Sequence, residues 1–292
     1  MKIFETEAGK PHHRLTPVPP LFMVALCDWQ RYLCLSHRLQ PIKPGAESLK
    51  KIILFIILGG ICALAGGVLW VYLNLPNVAY LKSQNPKTTA LIDQRLRESR
   101  NAGKELKVRQ AWVGFDSIPT ILKEAVRVAE DASFYEHEGI DYDELREAIQ
   151  KNIEQGKFAR GASTITQQLA KNLFLSTDKS LRRKLEEYFI ARRLEAELSK
   201  NRIFHLYLNV IEFGPGVFGV EAAARHYFGK SVGQLSLEEV VRLTAVIPKP
   251  LTESPTRNSR WLNWRAGWVL STLRKTGHIN AAQYNEVIGR FK

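Results

Sequence analysis

EDASFYEHEGID, at residues 130–141, marks the end of one helix and the turn that follows it. The preceding run, SIPTILKEAVRVA, places apolar residues at helical spacing, so we expect Glu130 at the end of an amphipathic helix. Gly139 allows a turn, after which Phe134 and Tyr135 can fold back and shield the carboxylate from water. A shielded carboxylate has a raised pKa and is a better base. Taken alone, the same acids fit a solvated helix end equally well.

Helical periodicity continues towards the carboxyl end and predicts one mostly helical domain, because strand-like alternation is scarce. The predicted helices are 121–130, 142–153, 164–173, 181–198, 201–209, 219–227, 236–246 and 262–275. Residues 77–114 are interpreted as a polar stalk.

The amino-terminal part carries the strongest compositional signal, a run without charge at residues 52–75. As a helix it would extend about 36 Å, enough to cross a bilayer with some tilt. The run is too long for a cleaved signal peptide, so we interpret it as an uncleaved anchor. The predicted organisation is a poorly ordered tail (1–49), an anchor (50–75), a stalk that leads into the domain (76–111) and the mostly helical domain (112–292).

Basic residues are denser before this span than after it, which favours a cytoplasmic amino terminus. Those before it are Arg31, Arg38, Lys43, Lys50 and Lys51, and those after it are Lys82, Lys87 and Arg95. The three cysteines, Cys27, Cys34 and Cys62, precede the proposed external domain, which suits an oxidising compartment.

The formal net charge of +13 favours an anionic partner: nucleic acid, anionic lipid or a phosphorylated substrate. Charge alone does not choose among the three.

GASTITQQLAKN, at residues 161–172, concentrates polar side chains on one predicted helix. Gln167 and Lys171 are four residues apart and belong to a polar stripe along it. Ser163 is placed to cap the helix, whose amino end suits an anion. The alternative without a binding site is a capped surface helix whose polar face is exposed to solvent.

The next predicted helix pairs opposite charges at helical spacing. Arg183 and Glu187 are four residues apart, which leaves Leu181, Leu185 and Tyr188 for the core. The pattern places a second acidic residue, Glu187, beside a cluster of basic side chains.

Five blocks in this order resemble the signature series of the peptidoglycan glycosyltransferases, the module also found in class A penicillin-binding proteins. The blocks are EDASFYEHEG, GASTITQQLAKN, RKLEEYFIARRLE, KNRIFHLYLN and GVFGVEAAARHYFGK. These bacterial enzymes polymerise lipid II into glycan strands, and the resemblance runs from about residue 112 to 250. With one anchor and no second domain, the chain is most similar to the monofunctional biosynthetic transglycosylases. The implied fold is mostly α, with a lysozyme-like, two-lobed catalytic domain.

The resemblance implies that Glu130 is the catalytic base. It takes the proton from the acceptor's 4-hydroxyl as that oxygen attacks the donor's anomeric carbon. Undecaprenyl diphosphate leaves, with inversion and without a covalent sugar intermediate.

The resemblance also implies residues that bind the substrate. Lys171, Lys179 and Glu187, with Arg183 nearby, map to the diphosphate side, where relatives often carry arginine at the place of Lys179. The other expected cleft residues are Ser163, Thr164, Gln167, Gln168 and Asn172. Residues taken as supports are Asp131, Phe134, His137 and Asn209.

The resemblance further implies that cationic side chains stabilise the negative charge on the departing diphosphate, with or without a divalent cation such as Mg²⁺ or Mn²⁺. Glu187 is the second residue expected to be catalytic and the candidate metal ligand, and we expect no organic cofactor. The expected partners are lipid II, undecaprenyl diphosphate-linked glycan, membrane lipid and proteins of cell-wall synthesis or division, with no nucleic acid. The implied location is the bacterial inner membrane with the domain in the periplasm, and residues 151–160 match a loop that touches the membrane.

Three other functions fit parts of the sequence. A lysozyme-like hydrolase or lytic transglycosylase has no need for the basic polar helix. Transpeptidase-like signatures occur but span only about 100 residues, too few for that domain. They are Ser176-Thr177-Asp178-Lys179, Ser199-Lys200-Asn201 and Lys275-Thr276-Gly277. A basic membrane adaptor explains the charge but not the ordered blocks.

Overall fold

A computed structural model describes residues 46–155, 163–178 and 180–291. The chain divides into two compact units, residues 1–65 and 66–292. The predicted tail up to residue 45, residues 156–160 of the predicted membrane-touching loop, and Lys179 lie outside the described residues.

The described residues of the first unit form most of the apolar helix α1 (Ala46–Leu73). The last residues of this helix, from Gly66 onwards, belong to the second unit. One helix in the described residues, Glu47–Leu73, is long and apolar enough to cross a membrane. Its most apolar window has a mean hydropathy of 2.7, and none of that window is buried by protein. An exposed apolar surface of this length is costly in water, so the helix is compatible with a single-pass membrane anchor.

The second unit is mostly helical, as predicted. Its helices are α2 (Ala90–Asn101), α3 (Thr120–Glu130), α4 (Tyr142–Gln155), α5 (Ile165–Phe174), α6 (Leu181–Glu197), α7 (Lys200–Val210), α8 (Val220–Phe228), α9 (Leu237–Val246), α10 (Arg260–Lys275) and α11 (Ala281–Ile288). Each of the eight predicted helices is present, with ends within two residues of the prediction.

Short polar side chains start most of these helices. Ser180, Ser199, Ser236 and Ser259 accept a hydrogen bond from a backbone N–H in the first turn of α6, α7, α9 and α10. Each cap satisfies a donor that has no partner within its helix.

Helix α5 lies at the centre of the core. It packs against α2, α6 and α7, while α3 packs against α9 and α10. The buried side chains of α5 include Thr166, Gln167 and Asn172 as well as its apolar residues. The prediction of a polar stripe along this helix is therefore wrong, because neighbouring helices cover most of its circumference.

Helix α6 also differs from its predicted packing. The side chain of Leu181 is 92% exposed, whereas Glu187, Ile190, Ala191 and Leu194 are buried. The assignment of Leu181 to the core was wrong, because the inward face of this helix passes through Glu187.

Residues 77–114 are more than a polar stalk. They contain α2, whose buried Leu91 and Ile92 pack with Phe218, and the strand β1 (Arg109–Gln110). β1 pairs in parallel with β3 (Val217–Phe218), which pairs antiparallel with β2 (Glu212–Gly214). The segment is thus joined to the domain by both a helix and a sheet.

Candidate active site

Glu130 is the last residue of α3, at the place where the sequence predicted the end of a helix. Its carboxylate lies between two helices that are distant in sequence. From α5, Gln168 Nε2 donates to Glu130 Oε2 (3.2 Å). From α10, Arg265 Nη2 lies 3.5 Å from Glu130 Oε1 and donates to the carbonyl of Ala129 (3.0 Å).

A buried tyrosine fixes the orientation of the Gln168 amide. The hydroxyl of Tyr207, a fully buried residue of α7, donates to Gln168 Oε1 (3.0 Å). Because the amide oxygen receives this bond, the amide nitrogen faces the carboxylate of Glu130.

Burial raises the pKa of Glu130, and the hydrogen bond from Gln168 and the charges of Arg265 and Lys171 oppose this change. Loss of water penalises the charged form, whereas donors and nearby cations stabilise it. The result is a carboxylate that is more basic than a solvated one and still has hydrogen-bond donors to hold it.

The aromatic residues of the 130–141 block do not both shield this carboxylate. Gly139 turns as predicted, with a φ of +86°. Phe134 is fully buried against Phe204, but Tyr135 is exposed and its hydroxyl donates to Asn201 Oδ1 (3.1 Å). The prediction that Tyr135 covers Glu130 was wrong, since the turn directs its ring away.

Asp131 and His137 hold the amino end of α5. The buried Asp131 carboxylate accepts hydrogen bonds from the backbone N–H of Ile165 (2.9 Å) and from His137 Nε2 (3.0 Å). His137 Nδ1 accepts from the N–H of Gly139 (3.1 Å), so its proton lies on Nε2. These bonds fix the start of α5 relative to the end of α3, and with it Gln168 relative to Glu130.

Thr164, not Ser163, caps α5. Thr164 Oγ1 accepts from the N–H of Gln167 (3.2 Å), whose side chain accepts from the N–H of Thr164 (3.1 Å). The predicted cap was one residue early because the helix begins at Ile165. Ser163 Oγ instead accepts from Lys184 Nζ (3.2 Å), so its hydroxyl connects the start of α5 to α6.

A cluster of cations surrounds Glu187 on α6. Arg183 Nη1 donates to Glu187 Oε2 (2.6 Å), as the spacing predicted, and Lys184 Nζ donates to Glu187 Oε1. The Glu187 side chain is nearly fully buried, so it needs both partners.

Lys171 of α5 belongs to the same cluster. Burial lowers the pKa of Lys171, the carboxylate of Glu187 opposes this, and the charges of Arg183 and Lys184 lower it further. The cations therefore repel one another and attract an anion.

A cleft of about 780 Å³ opens beside Glu130. α10 supplies one side of its lining with Trp261, Trp264, Arg265 and Trp268. The other lining residues are Val128, Ala129, Asp131, Ala132, Ser133, Asp141, Asp143, Glu144, Glu147, Ser163, Gln168 and Pro248. Ser163 and Gln168 thus connect the cleft to the cation cluster.

Two other predicted site residues, Asn172 and Asn209, are not among those that line the cleft. Asn172 is buried on α5. Asn209 joins the end of α7 to the segment before α3: its Oδ1 accepts from the N–H of Val113 (2.9 Å) and its Nδ2 donates to the carbonyl of His205 (2.9 Å). Lys179 lies outside the described residues.

The site prediction did not include several residues that the structure places at the site. They are Lys184, Arg265, Tyr207 and the tryptophans of α10. Lys184 carried a local signal, since it is three residues from Glu187 on one helix. Arg265 is 135 residues from Glu130 in the chain, and no spacing rule joins them.

The described residues contain no metal site built from protein side chains alone. Both Glu187 oxygens are engaged by cations. Among the described residues, no three His, Cys, Asp or Glu side chains converge as metal ligands.

Residues 98–274 match the family model described as Transglycosylase. The chain belongs to the transglycosylase family. The match includes Glu130, α5, α6 and most of α10, and it excludes α1 and α11.

Proteins named biosynthetic peptidoglycan transglycosylase are similar to this transglycosylase over most of their length. The one from Nitrosospira multiformis is 43% identical over 204 residues, 70% of this chain and 87% of the relative. The one from Herminiimonas arsenicoxydans is 40% identical over 225 residues, which are 77% of this chain and 96% of the relative. The one from Dechloromonas aromatica is 45% identical over 189 residues, 65% and 82% of the two chains.

Proposed function

We propose that this protein is a peptidoglycan glycosyltransferase that polymerises lipid II into glycan strands, with Glu130 as its base. The observation that carries the proposal is the buried carboxylate of Glu130, which has a raised pKa and lies between an open cleft and a cluster of cations. The similarity to named peptidoglycan transglycosylases supports the choice of substrate. A lytic enzyme has an uncharged leaving group and no use for the cations.

In the proposed reaction, a Glu130 oxygen removes the proton from the acceptor's 4-hydroxyl. The oxygen of the acceptor's 4-hydroxyl then forms a bond to the donor's anomeric carbon, while the bond from that carbon to the diphosphate breaks. Direct displacement inverts the anomeric configuration. The raised pKa of Glu130 favours this transfer, because a base of higher pKa binds the proton more tightly.

The charge that develops on the diphosphate is stabilised by Lys171, Arg183 and Lys184. These cations are held in position before the substrate arrives, so little reorganisation is needed during the reaction. Glu187 was predicted to be catalytic; its pairing with Arg183 and Lys184 supports a role in holding those cations. A divalent cation beside Glu187 stays a prediction, and we assign no step to a metal ion.

The setting of the reaction is a membrane. We place α1 in the inner membrane with the amino terminus in the cytoplasm, because Lys50 and Lys51 precede the apolar run. The catalytic domain is then outside, where the polyprenyl tail of the substrate stays in lipid while its sugars enter the cleft.

Polymerisation of labelled lipid II, followed by muramidase digestion, tests the proposal. We expect a muramidase-sensitive polymer from the wild type. Release of fragments from preformed glycan, without polymer from lipid II, would assign the protein to the lytic class.

A further inference from the structure

Helix α10 presents three tryptophans to the cleft. Trp261, Trp264 and Trp268 are separated by three and four residues, so they lie along one face of the helix. Trp264 is 62% exposed and Trp268 is 39% exposed. Exposed indoles inside a cleft are apolar surface that a ligand can cover.

Trp264 differs from its two neighbours in its contacts. Lys249 lies 4.3 Å above the ring of Trp261, and Arg265 lies 4.4 Å above the ring of Trp268. Within the described part of the chain, neither a cation nor an aromatic ring stacks on Trp264. The flat face of this indole is therefore open to a bound molecule.

The rest of the cleft restricts the chemistry of that molecule. Asp141, Asp143, Glu144 and Glu147 line it and disfavour an anionic ligand, while their oxygens accept hydrogen bonds from hydroxyl groups. The cations lie towards α6, beyond Ser163. Indoles and carboxylates together suit an uncharged ligand that is rich in hydroxyls and has a flat apolar face.

We propose that Trp264, with Trp268 beside it, is a stacking site for an N-acetylhexosamine ring of the glycan. The C–H face of the sugar covers the indole, and its hydroxyls face the carboxylates. This inference rests on the proposed function and adds a sugar subsite to it. Arg265 contacts both the Trp268 ring and Glu130 Oε1, so a sugar held here lies next to the base.

Binding of a soluble sugar tests the site without turnover. The full chain in lipid nanodiscs is titrated with chitotetraose, a β-1,4-linked N-acetylglucosamine oligomer, by calorimetry. We expect Trp264→Ala to weaken binding by about tenfold, which corresponds to about 1.4 kcal/mol and lies within the range of an aromatic stack, and Trp264→Phe to retain part of the binding. Tyr80→Ala is the control, since Tyr80 is also exposed and is not among the residues that line the cleft.

The bound ring can belong to the acceptor or to the growing strand, and polymerisation kinetics separate the two. A raised KM for lipid II with unchanged product length in Trp264→Ala assigns the site to the acceptor. Shorter products with unchanged KM assign it to the growing strand. The proposal would be overturned if Trp264→Ala bound chitotetraose as the wild type does and kept the wild-type KM and product length.

Failure of the proposed function has a different signature. A wild type that binds chitotetraose through Trp264 but does not polymerise lipid II would remove the polymerase assignment and keep the sugar site.

Discussion

At the scale of single residues, the proposed reaction depends on Glu130, a base that is buried and yet remains ionisable. Glu130→Gln keeps the size and polarity of this side chain and removes its ability to accept a proton. We expect polymerisation to fall by about 10²- to 10⁴-fold, the usual contribution of a positioned general base. Lipid II turnover measures the loss, and circular dichroism checks the fold. Glu136→Gln, an exposed acid of the same block, is the control, and full activity in Glu130→Gln would remove Glu130 as the base.

The two buried ionisable groups also set the pH dependence of activity. The base works as a carboxylate, so activity is lost as the pH falls through the pKa of Glu130, which lies above its ordinary value of 4.5. Lys171 works as an ammonium group, so activity is lost as the pH rises through its pKa, which lies below 10.5. We predict a bell-shaped profile of kcat/KM, with the alkaline limb moved to higher pH in Lys171→Arg. An unmoved alkaline limb would show that another group controls it.

Tyr207 acts on the base through Gln168. Tyr207→Phe removes the hydroxyl that orients the amide, so Glu130 loses a reliable donor and its pKa rises further. We predict that the acidic limb of the profile moves to higher pH in this variant. In a Gln168→Ala background the same substitution should have no further effect on that limb. Additive shifts in the double variant would contradict the proposed route.

At the scale of elements, the connection between β3 and α8 requires a glycine at position 219. Gly219 has a φ of +82°, and a Cβ there would lie 2.5 Å from the carbonyl oxygen of Asn209. Gly229 has a similar φ of +69° at the end of α8, with open space around it. Gly219→Ala should therefore lower the free energy of unfolding by about 2 kcal/mol more than Gly229→Ala, which adds only the backbone strain. Urea denaturation of the two variants measures the difference, and equal losses would exclude the steric clash.

Eight of the ten described helices α2 to α11 were predictable because each has a local signal, whereas α2 and α11 were missed. Apolar residues at helical spacing and short polar caps place the ends of α3 to α10 within two residues. α2 was missed because only Leu91 and Ile92 are buried on an otherwise polar helix.

The site was less predictable than the helices. The pair Arg183–Glu187 follows from spacing along one helix, but the burial of Gln167 and Asn172 depends on which helices cover α5. The contacts of Arg265 and Tyr207 arise from tertiary packing of distant segments, which no local pattern encodes. Family resemblance made Glu130 and Lys171 candidates, and the structure added the groups that contact Glu130.

At the scale of the whole molecule, the end of the apolar run contacts the helix that carries the proposed diphosphate site. The last turns of α1, which belong to the second unit, contact α6: Trp70 lies under Arg182 (4.9 Å) and Tyr72 under Arg193 (5.3 Å). α6 is also the helix that carries Arg183, Lys184 and Glu187. The helix that holds the proposed diphosphate site is thus fixed to the residues where the apolar run ends.

Membrane attachment through α1 can be tested by placing charge in its centre. Ile57 and Ile61 are exposed and lie within the apolar run, and a lysine at such a position costs about 2.5–3.5 kcal/mol in a membrane helix. The double variant Ile57→Lys/Ile61→Lys should float less with liposomes than Ile57→Leu/Ile61→Leu, which keeps the helix apolar. Because the catalytic residues are unchanged, its polymerisation of lipid II should fall in liposomes and persist in detergent. Unchanged flotation would mean that another surface attaches the enzyme, and equal loss in both media would mean that the charges damage the catalytic domain itself.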